Sequence, residues 1–101
     1  MTMDRLVVSD SSVLAFAPHI VFRFDEVRQR WTILAPERLM LPDEQAVEIL
    51  QLVDGKTGVS AIVDSLAARY DQAPRDLIAK DVTAMLQDLA DKGCLARAAA
   101  D

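Results

Sequence analysis

The residue types that most often carry chemistry are scarce here and badly placed for it. His19, the single histidine, stands beside Pro18 in a predicted loop, and Cys94, the single cysteine, lies near the far end of the chain. A Cys/His pair would need a tertiary contact that nothing in the spacing specifies, so both are expected to be structural. One histidine and one cysteine cannot make a structural zinc site, and the carboxylates lack the spacing of a calcium-binding loop. The glycines, Gly55, Gly58 and Gly93, are scattered and form no phosphate-cradling loop. No cofactor, no metal and no enzymatic activity are expected; the chemistry left is that of binding.

Two features bear on binding. Asp76, Asp81 and Asp88 fall on one predicted helix and form a stripe beside its apolar face, either a solvated surface or a rim that attracts a basic or amide-rich peptide. Met85 reads as core, whereas Met40 points away from Leu39 and Leu41 on a short strand whose edge is expected to be free.

The elements that must position these residues come from the hydrophobic pattern. Asp10, Ser11 and Ser12 interrupt two apolar pieces, Leu6–Val8 and Val13–Phe16, and Pro18 follows; residues 1–17 therefore read as a flexible, poorly anchored segment. From Ile20 to Val27 the chain alternates, with Ile20, Phe22 and Phe24 opposed to Val21, Arg23 and Asp25, a half-buried strand. A polar gap at Arg28–Arg30 has hairpin length, Trp31–Leu34 resumes in β-favouring residues, and Pro36 ends that strand. Arg38–Leu41 makes a third, short strand.

Three helices follow. Asp43 is a plausible N-cap before Glu44, and Ala46, Ile49, Leu50 and Val53 keep one face until Gly55 ends the helix. Val59, Ile62, Val63, Leu66, Ala67 and Tyr70 predict a second helix capped by Thr57 or Ser60 and ending near Asp71. Pro74 suits the first position of a third helix, whose Ile78, Val82, Met85, Leu86 and Leu89 keep the spacing for about three turns until Gly93. Cys94 and Leu95 run on as a short extended piece, and residues 97–101 read as a tail. The expected architecture is α+β, an N-terminal three-stranded antiparallel sheet followed by a three-helix bundle, winged helix-turn-helix-like, in one domain over residues 18–96.

Length and charge set the outer limits. At 101 residues, 51% hydrophobic and 27% charged, the chain suits one globular core. No apolar run approaches the roughly 20 residues of a membrane-spanning helix, and the N-terminus lacks the pattern of a secretory signal; the expected location is the cytoplasm, with no membrane partner. Net charge is −5, and the acidity is concentrated beyond residue 41, while Arg23, Arg28, Arg30 and Arg38 slightly outweigh Asp25, Glu26 and Glu37 in the sheet region. Acidic helices repel a phosphate backbone, so nucleic acid is not an expected partner. A winged-helix DNA-binding protein is the alternative on fold alone, and it would want a basic third helix.

The ordered features Leu34-Ala35-Pro36-Glu37, Leu41, Ile49-Leu50, Asp54-Gly55, Ile62-Val63, Leu66, Tyr70, Asp81-Val82 and Leu86 resemble the PqqD family of pyrroloquinoline quinone (PQQ) biosynthesis over about residues 18–95. The resemblance implies a peptide chaperone, a RiPP recognition element, that binds the ribosomal precursor peptide PqqA and presents it to the radical SAM enzyme PqqE, which links a glutamate to a tyrosine within it. It also implies that the leader of the precursor joins the third strand and lies against the third helix. On this sequence the edge is Arg38, Leu39, Met40 and Leu41, and helical periodicity assigns the opposing wall to Leu77, Asp81, Val82, Ala84, Met85 and Asp88. A monomer or weak homodimer is expected.

Overall fold

The computed structural model describes residues 6–98, in the order β1 (Leu14–Phe16), β2 (Val21–Asp25), β3 (Arg30–Ala35), β4 (Arg38–Met40), α1 (Glu44–Leu50), α2 (Val59–Arg69), α3 (Arg75–Asp91) and β5 (Leu95–Arg97). The expected meander is present as the antiparallel sheet β2-β3-β4, followed by the three helices, an α+β arrangement compatible with a winged helix. β1 and β5 form a second, two-stranded antiparallel sheet.

Register in the meander follows the alternation. Phe22 pairs with Ile33, Phe24 with Trp31, and Ile33 with Met40, which places these side chains on one inner face. Val21 pairs with Leu34 and Leu34 with Leu39, on the outer face. The inner face carries an aromatic ladder, in which Phe16 of β1 stacks on Phe22 at 5.4 Å, Phe22 on Trp31 at 4.7 Å, and Phe24 meets Trp31 edge-on at 6.0 Å. Asp25 shapes the β2–β3 turn: one carboxylate oxygen accepts the N–H groups of Val27 and Arg28, and the other meets the Arg28 guanidinium at 2.8 Å. Thr32, the one buried polar residue among those described, donates its hydroxyl to the Arg23 carbonyl.

The helices pack through Leu50, Ile62, Val63, Leu66, Val82, Leu86 and Leu89. Asp43 caps α1 as expected, accepting the Ala46 N–H at 2.8 Å. The helix is shorter than its apolar pattern suggests. After Leu50 the chain tightens into turns closed by Leu52 N–H on the Ile49 carbonyl and Val53 N–H on Leu50, so Val53 reaches the core without being helical. Gly55 then takes φ +79° and donates to the Leu14 carbonyl, a loop role rather than a helix end. Tyr70, expected on the buried face of α2, is instead 50% exposed, because α2 ends at Arg69 and its hydroxyl donates to Glu48 of α1 at 2.6 Å. Pro74 is the N-cap of α3 rather than its first helical residue. At the other end Gly93 has φ +82°, with Gly93 N–H on Ala90 and Cys94 N–H on Leu89, the paired bonds of a Schellman stop.

The largest correction concerns residues 1–17. Residues 1–5 lie outside the described residues, but from Leu6 onward the segment expected to be flexible is built into the fold. β1 pairs with β5 in the register Leu14–Arg97, Ala15–Ala96, Phe16–Leu95. Its other side faces the α1–α2 connection, where Gly55 N–H bonds Leu14 and Val13 bridges Gly58. The same segment caps α2: Val59 N–H donates to the Ser12 carbonyl at 2.9 Å and Ser60 N–H to Asp10 at 3.0 Å. These backbone acceptors replace the Thr57 or Ser60 side-chain cap, and Gly58 stands at the N-cap with no side-chain bond. Further out, the Gln87 amide of α3 accepts the Val8 N–H and donates to the Leu6 carbonyl, both at 2.8 Å, as a neighbouring strand would. Val8 and Leu14 are buried. The structural unit thus extends beyond residues 18–96 at both ends, since Arg97 belongs to β5 and Ala98 N–H bonds Val13.

Two predictions follow from this packing. Leu14→Ala is expected to lower the unfolding free energy by about 2–5 kcal/mol in urea melts, the cost of a cavity at a core leucine; a change within about 0.5 kcal/mol would separate the segment from the core. Asp54 accepts the N–H groups of Lys56 and Thr57 and the Thr57 hydroxyl, and these bonds, Lys56 first, hold its carboxyl below the ordinary 3.8. A depressed folded value makes this contribution complete above 3.8 and lost as pH falls through the folded value. The amide signals of Lys56 and Thr57 are therefore expected to titrate with a midpoint below pH 3.8, and Asp54→Asn to abolish that step.

Candidate functional site

The Pro36–Glu37 turn decides which backbone groups β4 has to offer. A two-residue hairpin is closed by a hydrogen-bonded pair, here Ala35 with Arg38. Alternation then makes Leu34–Leu39 a non-bonded pair and Ile33–Met40 a bonded one. The N–H and C=O of Arg38 and Met40 turn in toward β3, and those of Leu39 and Leu41 turn out. Among the described residues β4 pairs only with β3, so its outer edge is free. The β2–β3 hairpin gives the same parity from its own closing pair, Asp25 with Arg30. Met40, set apart from Met85 as the methionine away from the core, is corrected: it lies over Ile33 and packs on the core. Leu39 and Leu41 own the edge, and Leu41 is 47% exposed.

Beside this edge the inner face of the sheet meets the helices in an open cleft of about 1240 Å³. Phe24 and Trp31 line it from the sheet, Val47 and Glu48 from α1 with Gln51 just past that helix, and Leu77, Ile78, Asp81 and Val82 from α3; Tyr70, Ala73 and Pro42 also line it. The centre is apolar, with Phe24 and Leu77 well exposed. The rim is divided by sign, Arg28 and Arg30 on the hairpin side against Asp43, Glu44, Glu48 and Asp81 on the helical side. Glu48 accepts from both Arg69 (3.1 Å) and Tyr70, which raises the Tyr70 phenol above its usual value. Arg30 spans sheet and helix by donating to the Pro42 carbonyl at 3.1 Å.

The expected site residues divide into two groups. Leu77, Asp81 and Val82 line this cleft, with Val82 as buried floor rather than an accessible contact. Arg38 lies at the opposite end of α3, where its guanidinium reaches the Lys92 carbonyl at 3.5 Å, next to the Asp88–Lys92 ion pair of 2.9 Å. Leu39, Met40, Leu41, Ala84, Met85 and Asp88 do not line the cleft; Met85 is half-buried on the core, while Ala84 and Asp88 are exposed along the flank of α3 that continues from Leu77 and Asp81. Phe24, Trp31, Val47 and Tyr70 are cleft residues that periodicity did not select. Phe24 and Trp31 carried a signal, since strand alternation sets both on the face of Ile33; Val47 and Tyr70 carried none, because their place depends on how the helices meet.

Catalytic groups do not converge here. Cys94 is buried, and burial pushes its thiol up, only partly offset by Arg38 and Lys92. His19 is exposed and is not among the groups that act on that thiol. Among the described residues no group of three His, Cys, Asp or Glu side chains is placed to hold a metal ion.

Comparison with known proteins identifies the family. The profile of the family "Coenzyme PQQ synthesis protein D (PqqD)" matches residues 30–95. A curated relative from Rhodopseudomonas palustris (strain TIE-1), named PqqA binding protein, is 57% identical over 98 residues, covering 97% of this chain and 95% of the relative. The bifunctional coenzyme PQQ synthesis protein C/D of Methylorubrum extorquens is 41% identical over 95% of this chain, which spans 26% of that longer protein. Among solved structures, the solution NMR structure of the PqqD truncation of Methylobacterium extorquens PqqCD, described as a functional and stand-alone RiPP recognition element, superposes with a TM-score of 0.74 at 42% identity, covering 89% of this chain and 95% of that one. A profile match across the sheet and helices, relatives of similar length and a shared fold lead to one conclusion: this chain belongs to the PqqD family.

Proposed function

We propose that this chain is a non-catalytic peptide chaperone of PQQ biosynthesis that binds the precursor peptide PqqA and presents it to the radical SAM enzyme PqqE, in the cytoplasm and as a monomer or weak homodimer. The family membership and the relatives' name support the peptide. The observation that carries the site is the free edge of β4, where Leu39 and Leu41 leave donors and acceptors unspent beside an apolar cleft. An extended peptide satisfies such an edge through its backbone, and adjacent pockets select its side chains.

In this reading the leader pairs along Arg38–Leu41 and lies against the exposed flank of α3, where Leu77, Asp81, Ala84 and Asp88 make contact and Val82 and Met85 form the floor behind them. The acidic residues of that flank favour a peptide with basic or amide side chains. They also disfavour nucleic acid, whose binding needs cations where this helix carries Asp76, Asp81 and Asp88, all exposed.

The parity of β4 yields a paired test. Leu39→Pro removes one outward N–H without touching the β3 ladder and is expected to fold and to bind PqqA at least about tenfold more weakly. Met40→Pro removes an inward donor and is expected to destabilise the sheet itself. Titration of isotope-labelled protein with synthetic PqqA should move amide signals at residues 38–41 and along α3. Full affinity in a folded Leu39→Pro variant, or shifts confined to other residues, would move the site elsewhere.

A further inference from the structure

Backbone pairing on β4 leaves the cleft itself unfilled, although Phe24, Tyr70 and Leu77 stand exposed in its lining. Trp31 is held in place there. Phe22 stacks on its ring at 4.7 Å and Phe24 meets it edge-on at 6.0 Å, so the indole is fixed before any ligand arrives. Beneath it the floor is apolar, with Ile49, Leu66 and Val82 all buried.

Charge decides what such a cleft takes. Most ionised groups on its rim are already engaged: Arg28 by Asp25, Glu48 by Arg69 and Tyr70, and Asp43 by the Ala46 N–H. Arg30 donates to the Pro42 carbonyl. Glu44 and Asp81 are exposed and make no side-chain bond or ion pair with any described residue. The unspent charge is therefore two carboxylates against the guanidinium of Arg30. A fixed indole, an apolar floor and two free carboxylates suit a side chain with a long apolar stem and a cationic end. An acidic side chain would meet both carboxylates, and a wholly apolar one would crowd them without a counter-charge.

Position ties this side chain to the peptide edge. Pro42 follows Leu41 directly and lines the cleft, while Leu77 and Asp81 belong both to the cleft and to the exposed flank of α3. A peptide along β4 and that flank therefore reaches the cleft at the Leu41 end. At the other end it meets Arg38, whose guanidinium approaches the Lys92 carbonyl and has no carboxylate partner among the described residues. The ends differ in sign, so a basic residue is drawn to the cleft and not to any point along the strand.

We infer that the cleft is a specificity subsite for one lysine or arginine of the bound peptide, its stem on Phe24 and Trp31 and its charge toward Glu44 and Asp81. The inference rests on the proposed peptide edge and adds a requirement that the edge lacks. Backbone pairing tolerates many sequences; this subsite asks for a basic residue where the peptide passes Leu41.

A double-mutant cycle in binding tests it. Synthetic PqqA in which each lysine and arginine is replaced in turn by norleucine keeps a stem and loses the charge. One replacement is expected to weaken binding to the wild-type protein at least about fivefold, and binding to the Glu44→Gln/Asp81→Asn protein less than about twofold. That double variant is expected to fold, since neither carboxylate bonds a described residue. The Trp31 indole signal should move with PqqA and return toward its free position with the same norleucine peptide. Leu39→Pro, by contrast, is expected to weaken every one of these peptides alike. Equal losses in the wild-type and double-variant proteins, or no replacement that weakens binding, overturn the basic subsite and leave the peptide edge to the Leu39→Pro result. No binding of PqqA by the wild type overturns the peptide edge, and this inference with it.

Discussion

The backbone of residues 10–17 is hydrogen-bonded along both sides, and much else in the domain depends on that. On one side it forms a ladder with β5; on the other it receives the N–H groups of Gly55, Val59 and Ser60. An extended strand with both edges occupied is a buried strand, even when it is only three residues long. It supplies α2 with the acceptors that its own N-terminus lacks. It carries Phe16 to the end of the aromatic ladder and Leu14 into the core. Without it, the α1–α2 connection would keep unsatisfied donors and β5 would have no partner.

This dependence also explains what can be read from the sequence. The meander is legible because alternation in Ile20–Asp25 and the Pro36–Glu37 break each have a local cause. The same holds for the Asp43 cap and the Gly93 stop, both decided within a single turn. The strap is not legible, since Asp10, Ser11 and Ser12 look like punctuation in a loose end. The backbone carbonyls of Asp10 and Ser12, not their side chains, do the capping, and any residue type offers a carbonyl. A pairing between residues 14–16 and 95–97 likewise leaves no trace in local propensity.

The candidate site shows the same division. The strand and the helix that flank it can be placed from periodicity, and so can the flank of α3 running from Leu77 through Asp81 and Ala84 to Asp88. Which backbone groups face outward on β4 cannot, because that parity is set by the closing pair of a turn. The helical periodicity that selected Val82 and Met85 did not separate wall from floor; both turn toward the core, Val82 fully buried. The cleft itself arises where hairpin, α1 and α3 diverge, and only their packing creates it.

The β1–β5 ladder also has a consequence for how the molecule is made. Synthesis delivers β1 before the meander and the helices and β5 after them, so Val8 and Leu14 are made well before the strand that β1 pairs with. Contacts of such long sequence separation form late, after local helices and hairpins. The meander and the helices can therefore form before the β1–β5 ladder closes. Closure of the ladder waits for β5, and loss of Leu95–Arg97 would leave β1 without its ladder partner.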